Sequence, residues 1–315
     1  MKLILSRKGF DSASGGCPSP IFPDGTLYSL PIPHCQSEIT YGDLWHGDTS
    51  IGEVVADLTR NRFDAKAPAH LDPDINHVAY PRQGGWRPLF GQSRRAQGHL
   101  HNQGVRISDL FLFFGLFQKV EKVSGRWCFV KDAPQQHILW GWLQIEEIHK
   151  VDELTKAELP WTRYHPHRHA ARGKDPTNTL YIASETLNLG DGAIAQGAGW
   201  FQKLQPNLVL TQPGKSASYW QLPRCFYPDD GKQPLTGHPR NLWKPEPDNE
   251  YAYVQRRGPG QEFVLDLDQY CGVKNWLMES IFSCCWGDLA FGFLPNGEKS
   301  WDWEVGIRRS LLQKN

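Results

Sequence analysis

"GVRISDLFLFFGLFQKVEKVSGRWCFVKDAPQQHILWGWLQIEEIHKV", residues 104–151, is the stretch whose reading decides the fold. From Leu110 to Phe117 it carries no charge and shows no alternation, which is the pattern of a strand buried on both faces. Ser124-Gly125 breaks the chain, and "GRWCFV" and "HILWGWLQIEEIHKV" then return as strands, giving a meander.

Outward from this block the chain stays strand-rich. Upstream, Leu3–Leu5 is a first strand, and Pro23-Asp24-Gly25 in "IFPDGTLYSLPIP" is the turn of a hairpin. Residues 50–59 are periodic enough for a short helix, and "SRRAQGHLHNQGV" (93–105) reads as a helix closed by Gly104. Downstream, "NTLYIAS", "GAGWFQ", "LVLTQPG", "YWQLPRCF" and "GPGQEFVLDLD" give short strands. Residues 227–250, rich in Pro, Gly, Asp and Asn, read as a long surface excursion, and "VKNWLMESIF" as the last helix. With no repeat and no sharp composition shift, the expectation is one α+β domain over 1–315. It would be built on a bent sheet or barrel-like meander with a few flanking helices and the N-terminal strand inside.

Lys+Arg and Asp+Glu balance at 34 each, which excludes a uniformly basic duplex-binding face but not a local basic cleft. Seven cysteines without a Cys-x-x-Cys spacing, two of them the adjacent Cys284 and Cys285, support neither a disulfide framework nor a zinc knuckle. Met1-Lys2 is followed by only three apolar residues, too few for a signal-peptide core, so a cytoplasmic protein with reduced thiols is expected.

Four groups of residues invite chemistry. The first is the loop in "ILSRKGFDSASGGCPSP" (4–20). Amides from Gly9 to Gly16, with Gly15 between, form an anion-binding concavity over which Arg7 and Lys8 can close. The alternative is a plain turn-forming loop, and neither common nucleotide-binding glycine fingerprint is present. Cys17 beside it is the candidate thiol nucleophile, or else a structural cysteine. The second group is the acids Asp11, Asp43, Asp48, Asp72, Asp74 and Glu262. Asp72-Pro73-Asp74 suits a magnesium ion or a general base, or caps a turn.

Histidines form the third group: His99 and His101 on the 93–105 helix, and His165-Pro166-His167-Arg168-His169. Neither set has a companion Cys or Glu at an established ligand spacing, so no metal ligand is assigned. The second set lies beside Arg163, Arg172 and Lys174 and reads as a basic loop for phosphate, with Arg168 as its contact. The fourth group is the aromatics. Trp127, Trp140 and Trp142 alternate with apolar neighbours, so core packing explains them better than base stacking.

In order along the chain, several of these stretches resemble the nucleotide modification associated domain 3 family. They are "ILSRKGFDSASGGCPSPIFPDGTLYSLPIP", "LDPD" (71–74), "GQSRRAQGHLHNQGVRISDLFLFFGLF" (91–117), "ILWGWLQI", "NTLYIAS", "GAGWF", "LTQPGKSASYWQLP" and "GQEFVLD". The resemblance implies participation in nucleotide or DNA base modification in bacteria and phages. It brings no established reaction and no named cofactor. One departure is Ser108-Asp109, where the family pattern has a glycine before the acid. Residues 104–151 alone are also similar to PUA-like barrels, which bind modified bases.

Two functions follow, beside a third option of a structural or defence-associated scaffold with no small-molecule site. An enzyme would bind nucleotide or DNA through Arg7, Lys8, Gly9, Gly15, Gly16, Asp43, Gln97 and Arg168. It would draw its general base or proton carrier from Asp11, Asp72, His99 and Glu262. A non-catalytic reader would instead stack a modified base between aromatics. If the acids and His99 converge with Arg7 in one cleft, the enzyme is favoured. A purely aromatic and cationic cleft favours the reader.

Overall fold

The computed structural model describes residues 1–282 except 36, 170–172, 191, 230, 246–249 and 256–259. Arg172 and the Cys284-Cys285 pair lie outside the described residues, as does 283–315 of the expected domain. Six strands carry the main path of the central sheet: β1 (Lys2–Arg7), β2 (Leu89–Gln92), β3 (Leu110–Val123), β4 (Gln136–Lys150), β5 (Thr179–Ala183) and β6 (Glu262–Asp266). Their spatial order is β6-β1-β3-β4-β5-β2.

The apolar run sits where its composition demands. Leu110–Phe114 of β3 are all fully buried, paired in parallel with β1 (Leu3↔Leu110 to Arg7↔Phe114) and antiparallel with β4. All other neighbours on this path are antiparallel, so the sheet is mixed and the fold is α+β. β4 bends the sheet through irregularities at Leu139/Gly141 and Ile145/Glu147, since an extra residue on one strand locally increases twist.

Three expectations need correcting. The 104–151 block is not a three-stranded meander. Arg126–Phe129 pairs with Val120–Val123, and β4 then pairs with Leu110–Phe117 along the same edge of β3. The return arm is one long hairpin strand interrupted at 130–135. Nor does a barrel form: no sheet among the described residues closes on itself. The ends do approach, for Gln92 Nε2 on edge strand β2 donates to Glu262 Oε1 on edge strand β6 at 2.6 Å. Finally, the 227–250 excursion is anchored: Leu235, His238 and Trp243 are buried, and Trp243–Pro245 is a strand. Its Pro and Gly content reports turns, not exposure.

Helix α1 (Ile51–Leu58) buries Ile51, Val54, Val55 and Leu58, a stripe at helical spacing, into a second core with Phe10, Tyr28 and Tyr41. Helix α2 (Arg94–Asn102) leaves β2 almost at once and buries only Gln97 and Leu100. Helix α3 (Cys271–Trp276) continues as a wider π turn, Leu277–Phe282. No helix of the described residues is long and apolar enough to cross a membrane.

Candidate functional site

A cavity of about 1000 Å³ opens where β2 and β6 face each other without pairing. Its walls come from the ends of β1, β2 and β6, the first turn of α2, and the loops around residues 9–14, 70–72 and 167. It gathers four cations (Arg7, Lys8, Arg94, Arg95) with three carboxylates (Asp11, Asp72, Glu262) and His34, His70, His99 and His167. Asp11, Asp72, His99 and Glu262, scattered over 251 positions of the sequence, therefore share one space.

Each is held differently. Asp11 turns Oδ1 to the amides of Ala13 and Ser14 at 2.8 and 2.7 Å, and Oδ2 to Arg7 Nη2 at 3.5 Å. It both caps its own loop and faces the cleft. Glu262 takes Lys8 Nζ (2.7 Å) and Gln92 Nε2 on Oε1, while buried Oε2 has no hydrogen-bond partner. Lys8 Nζ also lies 4.7 Å from the centre of the Phe90 ring. His99 Nε2 shares a 3.1 Å hydrogen bond with Thr236 Oγ1. Of the glycine loop, Gly9 lines the cleft, and its φ of +89° suits glycine.

Asp72 is the most enclosed. It accepts the Gly91 amide at 2.8 Å and is ringed by imidazoles: His165 Nε2 at 3.4 Å, His167 Nε2 at 3.5 Å and His70 Nδ1 at 3.9 Å. Burial pushes the Asp72 carboxyl up, but the His165 and His167 rings outweigh it and hold it well below the usual carboxylate range. Burial drives His70 the other way, well below the ordinary imidazole value, against the pull of Asp72. The neighbouring Asp74 leaves the site, bound by both Arg82 guanidinium nitrogens.

Other expected binders lie elsewhere. Gly15 packs on the Phe10 ring, and Gly16 lies beside Arg62. Asp43 caps Thr40 at the start of a 3-10 turn. Gln97 accepts the Tyr181 hydroxyl at 2.9 Å inside the core. Arg168 donates to the carbonyls of Thr155 and Glu158. Cys17 stands outside the lining, and burial pushes its thiol up to about 11, so it is no ready nucleophile. Trp140 and Trp142 are core residues, and Trp127 packs partly buried on the second core.

Sequence reasoning took 165–169 for a solvated phosphate loop and assigned no metal ligand. Instead, His165 and His167 are buried, and His70, Asp72 and His167 offer ligand atoms all within 4.8 Å of one another. The His70-x-Asp72 spacing was the available signal. Arg94 and Arg95 were also missed, although two consecutive arginines open the helix that faces the cleft.

A mixed sheet with a charged cleft at its unpaired edges defines an α+β protein with a polar cavity as its candidate site. The chain belongs to the nucleotide modification associated domain 3 family, whose model matches residues 2–266. Neither a curated protein nor a solved structure matches it.

Proposed function

We propose that the protein is an enzyme of nucleotide or DNA base modification, with the cleft between β2 and β6 as its active site and residues 1–315 acting as one domain. The observation that carries this reading is the convergence of three carboxylates and His99 with Arg7 in one cavity. Phe263 is the one phenyl ring among the lining residues, which leaves a base-stacking reader poorly equipped. Arg7, Arg94 and Arg95 would take the phosphate, the arginines beside the start of α2, where the helix dipole also favours an anion. Glu262, with Oε2 unengaged, is the first choice of general base. A cytoplasmic setting, where nucleotides and DNA are at hand, fits this reading.

Two measurements test it. Arg7→Ala should weaken nucleotide or DNA binding and reduce its salt slope by about one unit. Mass spectrometry of nucleosides from cells making the wild type or Glu262→Gln should show a product only with the former. Equal binding by folded Arg7→Ala defeats the phosphate assignment. Identical nucleosides defeat the enzyme and leave the reader.

A further inference from the structure

His70, Asp72 and His167 meet on the wall of the cleft from two distant segments. Their spacing is looser than that of a tight charge-assisted pair. Charge-assisted hydrogen bonds run at about 2.7–2.9 Å. Here the imidazole nitrogens stand 3.5 and 3.9 Å from Asp72 Oδ2. Ligands sharing an ion at bond lengths of about 2.0–2.2 Å sit roughly 3–3.5 Å apart. The spacing is that of two ligands with an ion between them, needing only a small contraction.

Tautomers point the same way. Asn178 Nδ2 donates to the His167 carbonyl at 2.9 Å, which turns Asn178 Oδ1 to His167 Nδ1 at 2.6 Å. His167 Nδ1 therefore carries a proton, and Nε2 is the ring nitrogen that faces Asp72. A metal-bound imidazole usually has such a partner on its other nitrogen. His165 has the opposite arrangement: its Nδ1 accepts the His167 amide at 3.3 Å, and its Nε2, 3.4 Å from Asp72 Oδ1, makes no hydrogen bond there. With Nδ1 engaged as an acceptor, the neutral ring carries its proton on Nε2, so His165 is not counted among the ligands. Gly91 completes the fit, since a Cβ there would lie 2.3 Å from His167 Cδ2 and displace the ring.

We propose that His70 Nδ1, the Asp72 carboxylate and His167 Nε2 bind one divalent first-row transition ion. Two imidazoles with one carboxylate select such an ion over magnesium or calcium. Three protein ligands leave coordination positions open, as in catalytic centres, and the residues line the cleft that would admit substrate. The centre deepens the proposed function and rests on it only for the meaning of those open positions.

The test uses untagged full-length protein freed of metal by a chelator and titrated with Co(II). Uptake is followed by the visible absorption of the ion and by native mass spectrometry. One Co(II) per chain is expected, with a higher melting temperature in its presence. Asp72→Asn and His167→Gln should lose at least tenfold in affinity. Asn178→Ala should lose about tenfold through the freed imidazole, and His101→Ala nothing. Substoichiometric uptake by the wild type overturns the proposal whether or not the variants fold, as does uptake unchanged in both Asp72→Asn and His167→Gln. Nucleotide binding is measured on the same metal-free samples. Binding without Co(II) uptake sinks the metal centre alone, and uptake without nucleotide binding sinks the functional reading alone.

Discussion

Ser108 holds φ at +73° with an exposed side chain, in the left-handed region that favours glycine. Its backbone does the work there: its amide donates to the Ile145 carbonyl at 2.8 Å, and its carbonyl accepts Gln144 Nε2 at 3.1 Å. A left-handed conformation costs a residue with a Cβ about 1–2 kcal/mol, partly offset by the roughly 0.5–1 kcal/mol entropy cost of glycine. Ser108→Gly should therefore raise unfolding free energy by about 0.5–1 kcal/mol, read from a shifted denaturant midpoint at constant slope. In the sequence, serine in place of glycine argued against a left-handed turn here, yet the turn is kept. The roles of the histidines were not legible there, because tautomers are set by Asn178 and by the amide of His167, contacts that no spacing reveals.

At the scale of elements, periodicity found α1 to within a residue at each end, the closing Gly104 marked α2 with an expected span three residues too long at its end, and the charge-free run found β3. What it missed was pairing. Apolar pattern says that a strand is buried but not which edge its neighbour takes, so the broken return arm passed for two strands of a meander. The loop that delivers Asp72 was also opaque. Its rigidity comes from Asp74, fully buried and accepting from both Arg82 nitrogens, the Tyr164 hydroxyl and Trp86 Nε1. Burial pushes the Asp74 carboxyl up, and Arg82 works against it. Arg82→Ala would strand that carboxylate in the interior, a loss of about 3–5 kcal/mol. Equilibrium unfolding of the variant checks the figure. Arg60→Ala, on the surface beyond α1, should change stability by less than about 0.5 kcal/mol.

For the whole molecule, β1 and β6 come from opposite ends of the described chain and pair over five residues, with the 8–261 span folded around them. A single cooperative transition is the expected outcome in calorimetry, because neither β1 nor β6 can detach without breaking the central sheet. Two separately melting units would contradict the single-domain proposal. The convergence of distant acids followed from this topology. The first and last strands of this sheet lie side by side, so residues at the end of one and at the start of the other, Arg7 and Glu262, become neighbours in the same wall.

The meeting of Gln92 with Glu262 gives the molecule a line of mechanical weakness. Elsewhere along the sheet path, separating two strands means breaking a row of backbone bonds. Along this line the link is a side-chain bond to a carboxylate, from Gln92 to Glu262, worth about 1.5–3 kcal/mol. The two flanks can breathe apart on that small expenditure while every backbone ladder stays intact. For the proposed enzyme, the line held by the fewest bonds is also the mouth of the cleft that a bulky substrate would enter.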